Sequence, residues 1–158
     1  ISACLVGSEM CIRDSPGPVA EPAHAVHRRT LDGLHVLVVD DEASVRLGTS
    51  LLLEALGCRV SVARGTDEAV EVATHDAPDI VLADLRLRGE DSGVRAVAAL
   101  RALRPGLPAL LISGDTAPDR LREAERAGLV LLHKPVPAEA LAQGIRDALA
   151  GGDATGRG

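Results

Sequence analysis

Five polar residues each follow a short apolar run, and their types suit phosphoryl-transfer chemistry. Asp40 and Asp41 come after HVLVV, Asp84 after DIVLA, Ser113 after PALLI and Lys134 after LVLLH. Adjacent carboxylates repel each other, and placing them at the end of a buried segment costs free energy unless a cation lies nearby. Three carboxylates, one hydroxyl and one ammonium therefore predict a site for a cation and a phosphoryl group.

The cation that suits these side chains best is Mg²⁺. It takes oxygen ligands, keeps several waters and is usually held by one or two carboxylates together with phosphate. Ca²⁺ fits less well, because the acids lie in separate segments rather than in one EF-hand loop. Zn²⁺ also fits less well, because histidine and cysteine are absent from these positions.

Each residue has a role in phosphoryl transfer if the side chains meet. Asp84 is then the nucleophile that forms an acyl phosphate. Mg²⁺ binds one phosphoryl oxygen, Lys134 a second as a point charge, and Ser113 with a backbone N–H the third. Gly114 leaves room for the phosphoryl group beside the backbone. Taken singly, the same residues also suit turns, helix caps and solvated surface, so only their combination favours the functional interpretation.

The segments that position these residues alternate between strand and helix patterns. The predicted strands are 35–39, 59–63, 79–83, 108–112 and 129–133, and the predicted helices are 42–56, 67–75, 92–103, 117–127 and 137–149. The central runs lack polar alternation, as strands covered on both faces do. We therefore expect an α/β, doubly wound, five-stranded parallel sheet with five helices. With strand order 2-1-3-4-5, the three aspartates meet at its carboxyl edge.

The composition limits the class of protein. Hydrophobic residues make up 46% of the 158 residues, aromatic residues are absent and the formal net charge is −6. An aliphatic core follows, and neither base stacking nor a basic surface for direct nucleic-acid binding is expected. The three cysteines are too scattered for a disulfide framework, and no run of about 20 apolar residues predicts a membrane span. We expect a cytoplasmic domain without membrane contact.

The ends of the chain differ from its middle in composition. Residues 1–15, ISACLVGSEMCIRDS, resemble translated adapter sequence and are predicted to be a non-native segment. Residues 16–33 carry three prolines and are predicted to be an extended linker, which implies a further domain upstream. The domain itself is expected at 34–150. Residues 151–158, GGDATGRG, are predicted to be a flexible tail with no room for a DNA-binding domain.

Four motifs resemble the receiver domain of two-component response regulators over residues 34–150. They are VLVVDDE (36–42), DIVLADLRLRGEDSG (79–93), LLISGD (110–115) and LLHKPV (131–136). The resemblance implies a flavodoxin-like fold with bound Mg²⁺. It implies that Asp84 is the phosphoacceptor, that Asp41 binds the metal directly and that Asp40 acts partly through water. The backbone carbonyl of Arg86 completes the implied metal site.

The same resemblance implies roles for the residues around strand 5. Ser113 and Lys134 bind the phosphoryl group and couple it to conformation, and the Lys134–Pro135 peptide bond is expected to be cis. The chain departs from the family at Leu131, where receivers commonly carry Tyr or Phe. An aromatic switch is therefore not expected on the face of helix 4, strand 5 and helix 5. An aliphatic residue suits a receiver that passes the phosphoryl group on or regulates a kinase.

The motifs are most similar to those of receivers at the C-terminus of hybrid sensor histidine kinases. This implies a kinase phosphohistidine as the phosphoryl donor. A histidine-phosphotransfer domain, docking beside helix 1 near Ala43–Leu47, is a candidate acceptor. The domain is then a phosphoacceptor that assists its own phosphorylation and dephosphorylation, rather than an enzyme, although its parent chain is a kinase. A stand-alone single-domain response regulator has the same chemistry and stays an alternative.

Two other classes of protein fit the sequence less well. An aspartate-nucleophile phosphatase needs a second acid two residues after its nucleophile, and Arg86 stands at that position. A flavin or dinucleotide binder needs a Gly-rich or hydroxyl-rich loop after strand 1, where the chain has DDEAS. The phosphatase stays a remote alternative.

Overall fold

The structure, a computed structural model, describes residues 31–114 and 118–152. The predicted non-native segment at 1–15 and the predicted linker up to residue 30 lie outside the described residues. Residues 115–117 and 153–158 lie outside them as well. Among the described residues, no helix has both the length and the apolar character needed to cross a membrane.

The described residues include five parallel strands that form one sheet. They are β1 (His35–Val39), β2 (Arg59–Ala63), β3 (Ile80–Asp84), β4 (Ala109–Ser113) and β5 (Val130–His133). Their order is β2-β1-β3-β4-β5, with every neighbouring pair parallel. The predicted fold class and strand order are confirmed. Since β1 and β3 are neighbours, the residues at their carboxyl ends lie side by side.

In the described ranges, five helices cover the two faces of the sheet. They are α1 (Ala43–Ala55), α2 (Thr66–His75), α3 (Gly93–Leu103), α4 (Pro118–Arg126) and α5 (Ala138–Gly152). Helix α1 packs on β1 and β2, and α5 packs on β4 and β5. Helices α2 and α3 pack against each other and contribute to the core on the opposite face. This is the doubly wound arrangement that the alternating pattern predicts.

The core is wholly aliphatic, because the chain has no aromatic residue. Alternate residues of β1 face opposite sides, and all five are at most 2% exposed. On one side Leu37 and Val81 join a cluster with Ala96 and Leu100 of α3. Burial on both faces explains why these strands show continuous apolar runs instead of polar alternation.

Several boundaries differ from the sequence-based expectation. Strands β3 and β4 end one residue later, because the ladder pairs Asp84 with Ile112 and Ser113 with His133. Asp84 and Ser113 are therefore the last residues of their strands. Gly33 belongs to the fold rather than to the predicted linker, since its N–H donates to the carbonyl of Gly57 at 2.9 Å.

The predicted tail also begins too early. Helix α5 continues through Gly151 and Gly152, although glycine is a poor helix former and its appearance favours an earlier end. Propensity is a weak guide at the end of a helix, where the backbone ladder of the preceding turns continues to supply hydrogen bonds. The remainder of the predicted tail lies outside the described residues.

Candidate functional site

The carboxyl edge of the sheet brings together two aspartates and one lysine. Lys134 Nζ donates to Asp84 Oδ2 at 2.7 Å and lies 3.5 Å from Asp40 Oδ2. The three residues come from the end of β3 and from the loops after β1 and β5. In this structure, the cation that lies between the two carboxylates is the ammonium of Lys134.

Burial makes this cluster electrostatically tight. Asp40 is 4% exposed, and burial raises the pKa of its carboxyl above the ordinary value, although the Glu42 N–H and the charge of Lys134 oppose that effect. Burial alone would lower the pKa of Lys134, but its hydrogen bond and charge interaction with Asp84 outweigh that and raise it. Lys134 therefore stays protonated throughout the neutral range.

Backbone N–H groups orient the two carboxylates. Asp40 Oδ1 accepts from the N–H of Glu42 at 2.8 Å, and Asp84 Oδ1 accepts from the N–H of Arg86 at 3.0 Å. Each aspartate thus forms the same local turn, in which its side chain bonds the backbone two residues later. One oxygen of each carboxylate is held by the backbone while the other faces Lys134.

Asp41 has a different partner. Its Oδ2 accepts a hydrogen bond from Arg88 Nε at 3.0 Å, across a sequence separation of 47 residues. The Arg88 side chain is 85% exposed, whereas that of Asp41 is 23% exposed. Arg88 was not predicted as a site residue. Its place in the loop after β3, which leaves the sheet at the same edge, is the signal that could have indicated it.

Ser113 and Gly114 lie beside Lys134. Ser113 is 1% exposed, and its carbonyl accepts from the N–H of Lys134 at 2.8 Å. The Lys134–Pro135 peptide bond is cis. A Cβ built at Gly114 would lie 3.7 Å from Lys134 Cδ, an ordinary contact. Among the described residues, no neighbour of Gly114 would clash with such a Cβ.

The predicted metal residues line one open pocket of about 620 Å³. Its walls include Asp40, Asp41, Asp84, Arg86, Arg88 and Lys134. Three carboxylates offer the oxygen ligands that Mg²⁺ prefers, so the donor set fits this ion. As the side chains stand, however, the described residues hold no group of three or more acidic, histidine or cysteine side chains arranged to bind a metal. Lys134 occupies the space between Asp40 and Asp84, and Asp41 is bonded to Arg88.

Leu131 is half-buried in β5 and packs against the aliphatic core. It stands at the position where receivers commonly carry Tyr or Phe. Arg86 is exposed, and its backbone forms a single antiparallel bridge with Ser92. That bridge closes the loop between β3 and α3 at the edge of the pocket.

Two residues near the start of α3 make contacts that the sequence analysis did not predict. Gly93 begins α3 against the backbone of Asp84: a Cβ there would overlap the Asp84 carbonyl oxygen and lie 2.9 Å from Leu111 Cδ2. Asp91 accepts from the N–H of Thr66 at 2.8 Å and from the Thr66 hydroxyl. A Gly beside a Ser and an Asp is typical of an ordinary turn. The close approach of Gly93 to the Asp84 backbone depends on the tertiary structure.

Comparison with known proteins identifies the family. The sequence model of the family called response regulator receiver domain matches residues 36–146. The chain belongs to this family. The resemblance carried by the four motifs is thus confirmed, and the chain is a receiver domain of two-component signalling. Receiver domains are phosphoacceptors, and as a class they depend on Mg²⁺.

Relatives of this receiver domain include proteins of different organisation. Transcriptional regulatory protein GlrR of Escherichia coli (strain K12) is 31% identical over 73% of this chain, which spans 26% of that protein. Sensory/regulatory protein RpfC of Xanthomonas campestris pv. campestris is 29% identical over 77% of this chain and 17% of that protein. The chain therefore spans only a small part of either relative.

Solved structures show the same fold. A response regulator receiver domain protein from Clostridium thermocellum superposes with a TM-score of 0.69 and 25% sequence identity. The match covers 77% of this chain and 98% of that one. The β2-β1-β3-β4-β5 sheet described above is therefore the sheet of a complete receiver fold.

Proposed function

We propose that Asp84 of this receiver domain accepts a phosphoryl group from the phosphohistidine of a histidine kinase, in a reaction that requires Mg²⁺. The observation that supports this most directly is the 2.7 Å contact between Lys134 Nζ and Asp84 Oδ2. It places a fixed positive charge beside one carboxylate oxygen at the carboxyl edge of the sheet, where ligands of such folds bind.

In the transfer, a carboxylate oxygen of Asp84 forms a bond to phosphorus while the N–P bond of the donor breaks. The electron pair of that bond returns to the donor imidazole, and the product is an acyl phosphate. Lys134 already lies beside the attacking group, so it neutralises a phosphoryl oxygen without a large movement. Ser113 lies next along the same edge, and its hydroxyl bonds a second oxygen.

The metal belongs to this proposal. Asp41, Asp84 and the backbone carbonyl of Arg86 would hold Mg²⁺, and Asp40 would act partly through water. When bound, the ion supplies positive charge that offsets the carboxylate repulsion and the charge of the phosphoryl oxygens. Arg88 and Lys134 must then give up part of their present contacts with these carboxylates.

Helix α1 supports a docking position for the histidine-bearing partner. Leu47 and Leu51 lie four residues apart on one face of the helix and are 62% and 57% exposed. Helix α1 follows directly after Asp40 and Asp41, so a partner helix packed near Ala43–Leu47 would bring its histidine to the pocket. Exposed apolar residues on a helix beside a reactive site are typical of a partner surface.

The wider context of the domain is also proposed. We infer that it is the C-terminal receiver of a hybrid sensor kinase, which donates the phosphoryl group or exchanges it with a histidine-phosphotransfer domain. Similarity to a relative named sensory/regulatory protein supports this. Similarity to transcriptional regulatory proteins keeps a stand-alone regulator as the alternative. Reading the gene upstream of residue 16 for an ATP-binding kinase module separates the two.

Within this proposal the domain works in the cytoplasm, where ATP charges the kinase. It contacts neither nucleic acid nor membrane directly, and its only chemistry is to assist its own phosphorylation and dephosphorylation. The acidic net charge of the chain, −6, supports the proposal that the domain does not bind nucleic acid directly.

The decisive experiment is phosphorylation with a small donor. Incubation of the full chain with Mg²⁺ and acetyl phosphate should add one phosphoryl group, measured by intact mass. Asp84→Asn should abolish that gain, whereas Asp147→Asn, which changes an exposed aspartate of α5, should retain it. Absence of the gain in the unmodified chain, or its persistence in Asp84→Asn, contradicts the proposed function.

A further inference from the structure

Within the part of the chain that the structure describes, Asp41 is the predicted metal ligand whose carboxylate is bonded to an arginine. Arg88 Nε donates to Asp41 Oδ2 at 3.0 Å, while Asp40 and Asp84 both face Lys134. The contact joins the loop after β3 to the loop after β1. As the side chains stand, the described residues include no group of three carboxylates that could hold a metal ion.

We propose that Arg88 is an internal counter-ion of Asp41 that competes with Mg²⁺, so that it sets the Mg²⁺ concentration at which the site becomes loaded. This inference rests on the proposed function, in which Asp41 binds the metal directly. The guanidinium is permanently charged. Mg²⁺ that binds Asp41 Oδ2 must therefore displace Arg88. The free energy of the Asp41–Arg88 contact then reduces the free energy of Mg²⁺ binding.

The position of Arg88 suits a side chain that leaves and returns. Its side chain is 85% exposed, so its release into water opens no cavity in the core. The loop that carries it is held by backbone-directed contacts instead: Asp91 bonds the N–H of Thr66, and the backbone of Arg86 pairs with Ser92. The side chain is thus free to move while its Cα stays beside the pocket.

The exposure of Arg88 limits the size of the effect. Exposed ion pairs contribute about 0.2–1 kcal/mol in measured cases. Removing the Arg88 side chain should therefore tighten Mg²⁺ binding by about twofold to fivefold, which corresponds to about 0.4–1 kcal/mol. Because this pair is screened by ions, the ratio between the two affinities should shrink as the salt concentration rises.

The test is a calorimetric Mg²⁺ titration of the full chain and of Arg88→Ala. Arg95→Ala is the matched control, because it removes another exposed arginine near this loop, one whose charge acts on Asp91. We expect a dissociation constant about twofold to fivefold lower for Arg88→Ala and a smaller change for Arg95→Ala. Equal changes in both variants would mean that net charge alone is responsible, and would overturn the role of Arg88.

A second readout follows Arg88 in the unmodified chain. The NMR signal of its Nε–Hε group, assigned by its loss in Arg88→Ala, should shift on addition of Mg²⁺. It should shift in the same direction in metal-free Asp41→Asn, which removes the acceptor charge. A signal that responds to neither change overturns the inference, whatever the calorimetry shows.

The outcomes separate this inference from the proposed function. If the unmodified chain binds Mg²⁺ and is phosphorylated on Asp84, but Arg88→Ala has the same affinity, only the role of Arg88 fails. If neither chain binds Mg²⁺ and neither gains a phosphoryl group, the proposed function fails and the inference falls with it.

Discussion

At the scale of single residues, Lys134 is the cation around which this edge of the sheet is organised. It is the only lysine in the sequence, and all the other basic residues that carry a fixed charge are arginines. A compact ammonium fits between the Asp40 and Asp84 carboxylates, where a planar guanidinium would need a wider space. The side chain of Asp40 is 6% exposed and that of Asp84 is 12% exposed, so neither charge is well solvated without a partner.

Lys134→Met should therefore destabilise the Mg²⁺-free protein by about 1–3 kcal/mol, because it leaves two part-buried carboxylates without their cation. Urea unfolding followed by far-UV circular dichroism measures the effect, since the chain has no aromatic residue for fluorescence. Lys134→Arg, which keeps the charge, is the control and should lose less. A Met variant as stable as the unmodified chain would show that the contact carries no net stabilisation.

At the scale of elements, Asp91 links the loop before α3 to the start of α2. Helix α2 begins after Gly65, which has no side chain to cap it, and Asp91 bonds the N–H and hydroxyl of Thr66 from another segment. The Asp91 carboxylate also accepts the N–H of Ser92. This contact supplies an N-terminal cap in trans and fixes the loop that carries Arg86 and Arg88.

Asp91→Asn tests that link through its pH dependence. Burial alone would raise the pKa of Asp91, but the hydrogen bonds from Thr66 and Ser92 outweigh it and hold the pKa below the ordinary 3.8. Because the pKa of Asp91 is lower in the folded than in the unfolded protein, its ionised carboxylate stabilises the fold at pH values above the unfolded-state pKa. That stabilisation is lost as the pH falls through the folded-state pKa. The variant should therefore be about 1–2 kcal/mol less stable at neutral pH, with the difference shrinking in acid below that value.

Urea unfolding over a series of pH values measures this difference. Asp67→Asn, an exposed aspartate in the first turn of the same helix, is the control. It should cost only a few tenths of a kcal/mol, as expected for the helix dipole alone. If the Asp91→Asn difference stayed constant into acid, the carboxylate charge would not be the source of the stabilisation.

At the scale of the whole molecule, the carboxylates of Asp40, Asp41 and Asp84 repel one another at the carboxyl edge of the sheet. A bound divalent ion would reduce this repulsion. Segments from the ends of β1, β3 and β5 meet there, so a ligand at this edge holds together distant parts of the chain. Anything that binds the folded state alone adds stability by mass action.

Mg²⁺ should therefore raise the free energy of unfolding by about 1.4 kcal/mol when free Mg²⁺ is about tenfold above its dissociation constant. Asp41→Asn should lose most of that gain, because it removes a charged ligand of the proposed site. Unfolding is compared with and without Mg²⁺ at matched ionic strength, since salt also screens the repulsion. Identical curves for the unmodified chain would speak against a metal at this edge.

The sequence by itself determined the architecture and the types of residue at the site. Unbroken aliphatic runs such as HVLVV, separated by helical patterns, are enough to indicate a parallel sheet covered on both faces. Polar residues placed after those runs, as Asp40 and Lys134 are, must reach the same edge once the strands lie parallel. These conclusions depend on local pattern and chain direction, which the order of residues contains.

Only the tertiary structure decided which charges pair and where backbones meet. Asp41 and Arg88 are 47 residues apart, and no local pattern shows that this arginine reaches Asp41 rather than water. The close approach of Gly93 to Asp84 likewise depends on how α3 enters the sheet. Strand ends shifted by one residue because hydrogen-bond partners on neighbouring strands, such as Ile112 opposite Asp84, set where pairing stops. Such contacts arise from packing between segments that are distant in the sequence, so no single segment is sufficient to predict them.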